Sequence, residues 1–278
     1  MNAIFLCFGL LVASLSLGQV HSFMEENDLH LEDHLTDNGM TEDKFDDILD
    51  MMQETFESIS EDTGMYLDIG GYWDNSNVNA YASQGQDTRY VRVYGGLARR
   101  PEVTEDGLIL VICHELGHHF GGFPYYKGQW AANEGQSDFY STIACARKVW
   151  SKKQNKKKLV GVLPKVKEIC NEVWYSYKNK SLCYRTLMAS KSLADLLGNL
   201  HGVTVDFSTR DEKIVEKTYD KHPNPQCRLD TYIAGALCKA KWKNNIIPED
   251  ENEANSVSCP KDKYQFGGKP RCWYAPSK

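Results

Sequence analysis

The chain has 278 residues, 41% hydrophobic and 25% charged, an ordinary globular composition with enough apolar material for a sizeable core in one or two domains. Its net charge of −6 argues against nucleic acid as the main partner and is silent on fold. No stretch beyond the N-terminus is long and apolar enough to cross a bilayer, so the mature chain is expected to have no membrane span and to be a monomer.

The chain opens on an apolar run, Ile4 to Leu17, short for a transmembrane helix and flanked by small residues. This reads as a signal peptide over residues 1–22, cleaved after Gly18 or after Ser22, and implies a secreted or periplasmic protein. Residues 23–38 read as a loose acidic arm, 39–245 as the main domain, and 246–278 as an irregular cysteine-bearing tail packed on it. Of the nine cysteines, all but Cys7 lie beyond the signal, and an even number in an exported chain points to disulfides. Close spacing suggests Cys170–Cys183 and Cys259–Cys272 as local loops, with Cys113 a buried free thiol.

From Met40 to Ile59, apolar residues recur at three- and four-residue steps, which predicts an amphipathic helix with acidic residues at its positive end. Two or three short strands are expected next, with candidates at Met65 to Ile69, Val78 to Ser83 and Tyr90 to Tyr94, separated by Gly and Asn/Asp turns. Thr104 is a good N-cap for a second helix that stops at Gly121-Gly122. A third helix is expected from Asn133 to Trp150. Residues 160 to 200 look helical, with Leu193, Leu196, Leu197 and Leu200 on one face.

His114-Glu115-Leu116-Gly117-His118 is an H-E-x-x-H motif. On a helix, positions i and i+4 share a face, so both imidazoles can reach one metal ion while Glu115 projects beside it as a general base. A catalytic zinc takes a third protein ligand and keeps one position open. A histidine six residues after the motif is ruled out, because Pro124 stands there. Asn133-Glu134-Gly135-Gln136-Ser137-Asp138 offers the alternative: Glu134 as a ligand, and Asp138 one turn later to hold the far nitrogen of a metal-binding histidine. Two histidines and a carboxylate can also hold iron or manganese, but one Zn2+ per chain is the expected cofactor.

With these residues the chain resembles the gluzincins, zinc peptidases that combine H-E-x-x-H with a downstream glutamate. The Asn-Glu-x-x-Ser-Asp stretch is similar to that of thermolysin-type enzymes. The wider order resembles the CAAX prenyl protease family and its soluble mini-gluzincin and periplasmic relatives: Asn79-Ala80-Tyr81-Ala82, then Tyr90-Val91-Arg92-Val93, Gly96-Leu97, the metal helix, and a late His222-Pro223 with Arg228 six positions after the histidine. The resemblance implies an α+β zincin-like domain, with a small twisted sheet, an active-site helix and a helical C-terminal part carrying disulfides. It implies that Asn79, Ala80, Tyr81 and Ala82 form an edge strand that pairs with extended substrate. It makes His222 a donor to the oxyanion of the tetrahedral intermediate and Arg228 a supporting residue near the metal carboxylates, paired with Glu134 or Asp138. The prenyl proteases carry transmembrane helices that this chain lacks, so a prenylated substrate is not inferred. The function expected is a zinc-dependent endopeptidase acting on proteins or peptides; the alternative is a catalytically silent, zinc-binding secreted protein that serves as an interaction module.

Overall fold

The structure, a computed structural model, describes residues 19–32, 38–150, 155, 159–240, 246–260, 263 and 265–276. The apolar run of the expected signal peptide, Ile4 to Leu17, lies outside these residues, and only positions 19–22 of that segment lie within them. The fold is α+β, as expected. Its sheet is four-stranded and mixed, formed by β1 (Val20–Ser22), β2 (Tyr66–Tyr72), β3 (Ala80–Gln84) and β4 (Thr88–Tyr94) in the order β1-β3-β4-β2. β3 is antiparallel to both neighbours, and β2 runs parallel to β4.

Helix α1 (Glu42–Glu61) starts where Thr41 caps the backbone N–H of Lys44 and buries Phe45, Ile48, Leu49, Met52, Phe56 and Ile59, the face its periodicity predicts. It lies so close to β2 that a Cβ on Gly71 would fall 2.3 Å from the Phe45 ring, which is why that strand position carries glycine. A short turn of helix, α2 (Gly95–Ala98), leads to α3 (Glu105–Phe120), capped by Thr104. From Gly107 onward every residue of α3 is buried, because the sheet covers one side and α4 and α7 cover others. Each of its fully buried Leu, Ile and Val side chains contributes about 1.5–3 kcal/mol of burial energy.

The run from Glu134 to Trp150 is helical throughout, but not uniformly: α4 (Glu134–Tyr140) passes through a π-helical turn, Ser141–Cys145, into α5 (Ala146–Trp150). The segment from 160 to 200 divides into α6 (Pro164–Val173) and α7 (Tyr177–His201), broken at Trp174, whose backbone is extended. Besides the short α2, two helices were not foreseen. α8 (Pro225–Leu237) begins within the His-Pro segment, with Asn224 as N-cap and Pro225 in the first turn, and α9 (Glu251–Ser256) lies in the C-terminal segment. Residues of α6, α7 and α8, among them Val166, Leu187, Leu229 and Ile233, form a second core beside the first.

Three expectations are corrected. The arm is not loose over its described residues: Phe23 and Met24 are buried, Leu31 N–H donates to Ser76 O at 2.7 Å, and Val78 N–H donates to Leu29 O at 3.2 Å. Cys113 is not a free thiol, and Cys259 does not pair with Cys272. The disulfides are Cys113–Cys145, Cys170–Cys183, Cys227–Cys272 and Cys238–Cys259, of which only Cys170–Cys183 follows the close spacing. Cysteines distant in sequence meet because α3 packs on the π-helical turn and the tail folds back over α8. Four disulfides fit an oxidising compartment. Among the described residues no helix is long and apolar enough to cross a membrane.

Candidate metal centre

α3, α4 and the segment entering α8 converge at one point. His114 and His118 lie one turn apart on the same face of α3, their ring centres 4.9 Å apart. Glu134 is the first residue of α4, set there by Asn133, whose side chain caps Gln136 N–H. Its carboxylate reaches both imidazoles, with Oε2 3.1 Å from His114 Nε2 and Oε1 3.7 Å from His118 Nε2. The helices approach this closely because Gly117 faces Ser137: a Cβ at Gly117 would stand 2.7 Å from Ser137 Cα.

The far nitrogens are committed elsewhere. His114 Nδ1 donates to Asp138 Oδ1 at 2.8 Å, and His118 Nδ1 donates to the Ala132 carbonyl at 2.8 Å. Both rings therefore present Nε2 to the same space, the tautomer a metal ligand needs. His114 Nε2, His118 Nε2 and Glu134 Oε2 are buried and have no hydrogen-bond partner. Buried polar atoms left unpaired are costly, and a cation among them removes that cost. Two imidazoles and a carboxylate are a donor set suited to zinc.

Asp138 in turn takes hydrogen bonds from Arg228 Nε and Nη, both at 2.8 Å, and from the Tyr232 hydroxyl at 2.7 Å. Arg228 thus pairs with Asp138 rather than with Glu134. Glu115 lies beside the ligands, its Oε2 4.0 Å from His118 Nε2, with neither carboxylate oxygen hydrogen-bonded. His222 Nε2 stands 3.3 Å from Glu134 Oε2 and donates to the Ser22 carbonyl at 2.8 Å. Ala80, Tyr81 and Ala82 lie in β3, and Asn79 immediately precedes it; the outer edge of that strand is taken by β1 of the same chain. His119 points away from the site, its Nε2 3.2 Å from the Tyr90 carbonyl. A cavity of about 380 Å³ opens beside the group, lined in part by His21, Tyr126, Glu134, Asp220 and His222.

Electrostatics set the protonation states of the metal-free site. Burial pushes the Glu115 carboxyl up to about 8, offset in part by His114. Burial would lower His114, but the Asp138 carboxylate outweighs it and raises the imidazole to about 9. Burial works to raise Glu134, and the imidazoles of His118, His222 and His114 hold it well below the usual carboxylate range. Burial likewise works against ionised Asp138, and Arg228 with His114 keeps its pKa low.

Four neighbours escaped the sequence reading. Tyr126 donates to Glu134 Oε1 at 2.6 Å, and the Phe23 ring meets His114 edge-on at 5.3 Å. Tyr232 follows Arg228 by one helical turn, a spacing that becomes informative once α8 is recognised. His21 is brought to the site by β1, and nothing in its local sequence marks it. The chain matches no model of a known protein family, no curated protein and no solved structure.

Proposed function

We propose that the chain is a secreted zinc-dependent endopeptidase of the gluzincin type, similar to soluble relatives of the CAAX prenyl proteases. One observation carries the reading: His114 Nε2, His118 Nε2 and Glu134 Oε2 converge, buried and facing one another with no other hydrogen-bond partner, with both histidine rings held from behind. A zinc ion held by these three would supply a Lewis acid that lowers the pKa of water at neutral pH.

The remaining chemistry belongs to the side chains. Glu115 is the group beside the ligands with both oxygens uncommitted, and it takes the proton of the attacking water and passes it to the leaving amine. His222 donates through Nε2, the same atom that holds the Ser22 carbonyl, to the oxyanion that forms on the scissile carbonyl. An extended substrate adds to the outer edge of β3, where backbone hydrogen bonds make few demands on sequence. The contacts that hold Val20 to Met24 are spread along the segment's backbone rather than gathered at a free amine, which favours an endopeptidase.

The test is zinc stoichiometry and cleavage of an unfolded fluorogenic protein, measured on the full chain, on a chain beginning at Phe23, and on each with Glu115→Gln. Cleavage with one zinc per chain, lost in Glu115→Gln while zinc stays, is the expected outcome. Zinc with no cleavage by any form would replace this reading with that of a silent zinc-binding module.

A further inference from the structure

β1 occupies the edge of β3 in antiparallel register, with Val20 opposite Ser83, His21 opposite Ala82 and Ser22 opposite Tyr81. The pairing continues beyond the strand. Phe23 N–H donates to the Ala80 carbonyl at 3.0 Å, and the Asn79 side chain binds both backbone groups of Met24 at 3.2 Å. From the opposite wall His222 donates to the Ser22 carbonyl at 2.8 Å, and Arg228 donates to the Phe23 carbonyl at 2.6 Å. All of these contacts read backbone, as they would on any extended peptide.

His21 is the exception. Side chains alternate along a strand, and His21 is the β1 residue turned inward: it is 9% exposed, against 57% for Val20. Its ring stacks on Tyr126 at 4.5 Å and stands 5.2 Å from the His118 ring. A ring nitrogen lies within 4.8 Å of ligand atoms of both His118 and Glu134, and Nε2 is buried with no hydrogen-bond partner. A zinc ion with three protein ligands has one position left, and a third imidazole there, as fourth ligand, closes the site.

Resting on the zinc-peptidase reading, we propose that His21 is a fourth protein ligand of the metal, and that Val20–Met24 is a built-in occupant of the peptide cleft that keeps the enzyme latent until the segment leaves. Its removal leaves the three-ligand site described above and a vacant strand edge on β3. The occupant that replaces it is an extended peptide, and an imidazole at the position of His21 favours inhibition over turnover.

The position of signal cleavage decides whether His21 is retained, so the first measurement is the N-terminal residue of the exported protein. Gln19 is expected; a mature chain beginning at Phe23 overturns the proposal. The second uses Co2+ as the probe, because its visible absorption reports ligand number and identity. The exported chain is compared with His21→Ala and with a chain lacking Gln19–Ser22, each before and after acetohydroxamate. The native spectrum is expected to ignore acetohydroxamate, whereas both variants bind Co2+ at least tenfold more weakly and change spectrum on its addition. Two shortened forms are used so that misfolding of one does not decide the matter. Identical spectra and identical acetohydroxamate responses in all three overturn the proposal and leave the metal reading standing. No Co2+ in any form removes both.

Discussion

Arg228 and Asp138, ninety residues apart in sequence, are joined by two parallel hydrogen bonds of 2.8 Å in an interior from which both are almost wholly excluded from water. A buried pair of this kind is worth little compared with an apolar replacement of both, but removing one partner strands the other. Arg228→Met is expected to cost about 3–5 kcal/mol, read as a lower urea midpoint with unchanged slope. Asp138→Asn keeps the shape but weakens the hold on His114, and zinc affinity should fall about 10–100-fold in a chelator competition.

Glu115 offers a separable readout in the metal-free protein. Its folded pKa lies near 8, above the ordinary 4.5, so its contribution is fully present below pH 4.5 and is lost as pH rises through 8. The stability difference between native chain and Glu115→Gln, both with chelator, should therefore decline by up to about 1.4 kcal/mol per pH unit across that window. Comparing the two chains cancels the buried groups that do not interact with Glu115. Denaturant titrations at pH 5, 6.5 and 8 check the sign; a difference that grows with pH contradicts the assignment.

Gly117 is the residue of the H-E-x-x-H segment with no role in chemistry and a strict one in geometry. Gly117→Ala must push the backbone of Ser137 away, and with it Glu134 on the same helix. Overpacking of this sort costs about 1–3 kcal/mol. Ligand distances tolerate only about 0.2 Å, so zinc affinity should fall at least tenfold. Thermal melts and chelator competition on one sample separate the two effects.

The Cys113–Cys145 disulfide closes a 32-residue separation immediately beside His114. Replacing both cysteines with alanine is expected to cost about 3–4 kcal/mol from loop entropy in the unfolded chain. Equilibrium unfolding measures it. Zinc stoichiometry should survive, because the ligands themselves are held by α3 and α4.

Helix α3 was legible because its evidence is local: a Thr104 cap, an apolar run, two histidines four apart and a glycine stop. Glu134 and Asp138 were legible for the same reason, as a spacing of one turn behind an asparagine cap. What stayed hidden depends on contacts between distant segments. β1 is three residues long, and Val20-His21-Ser22 carries no periodicity from which a strand could be read. α8 was masked by its own start, since Asn224 and Pro225 suit a turn as well as the first turn of a helix. The disulfides Cys227–Cys272 and Cys238–Cys259 follow from the way the tail returns over α8, which spacing along the chain does not encode.

The π-helical turn at Ser141–Cys145 accommodates one more residue than a regular helix would. Each helical residue advances the direction of its side chain by about 100°. The insertion therefore works as a phase shifter: upstream, Glu134 and Asp138 are aimed at the buried histidines, and downstream Val149 and Trp150 are aimed into the core. Neither set has to compromise with the other. Deleting a single residue there would leave every other side chain present and the helix intact, yet turn one half of it by about a quarter of a revolution against the other. In this helix, count matters more than composition.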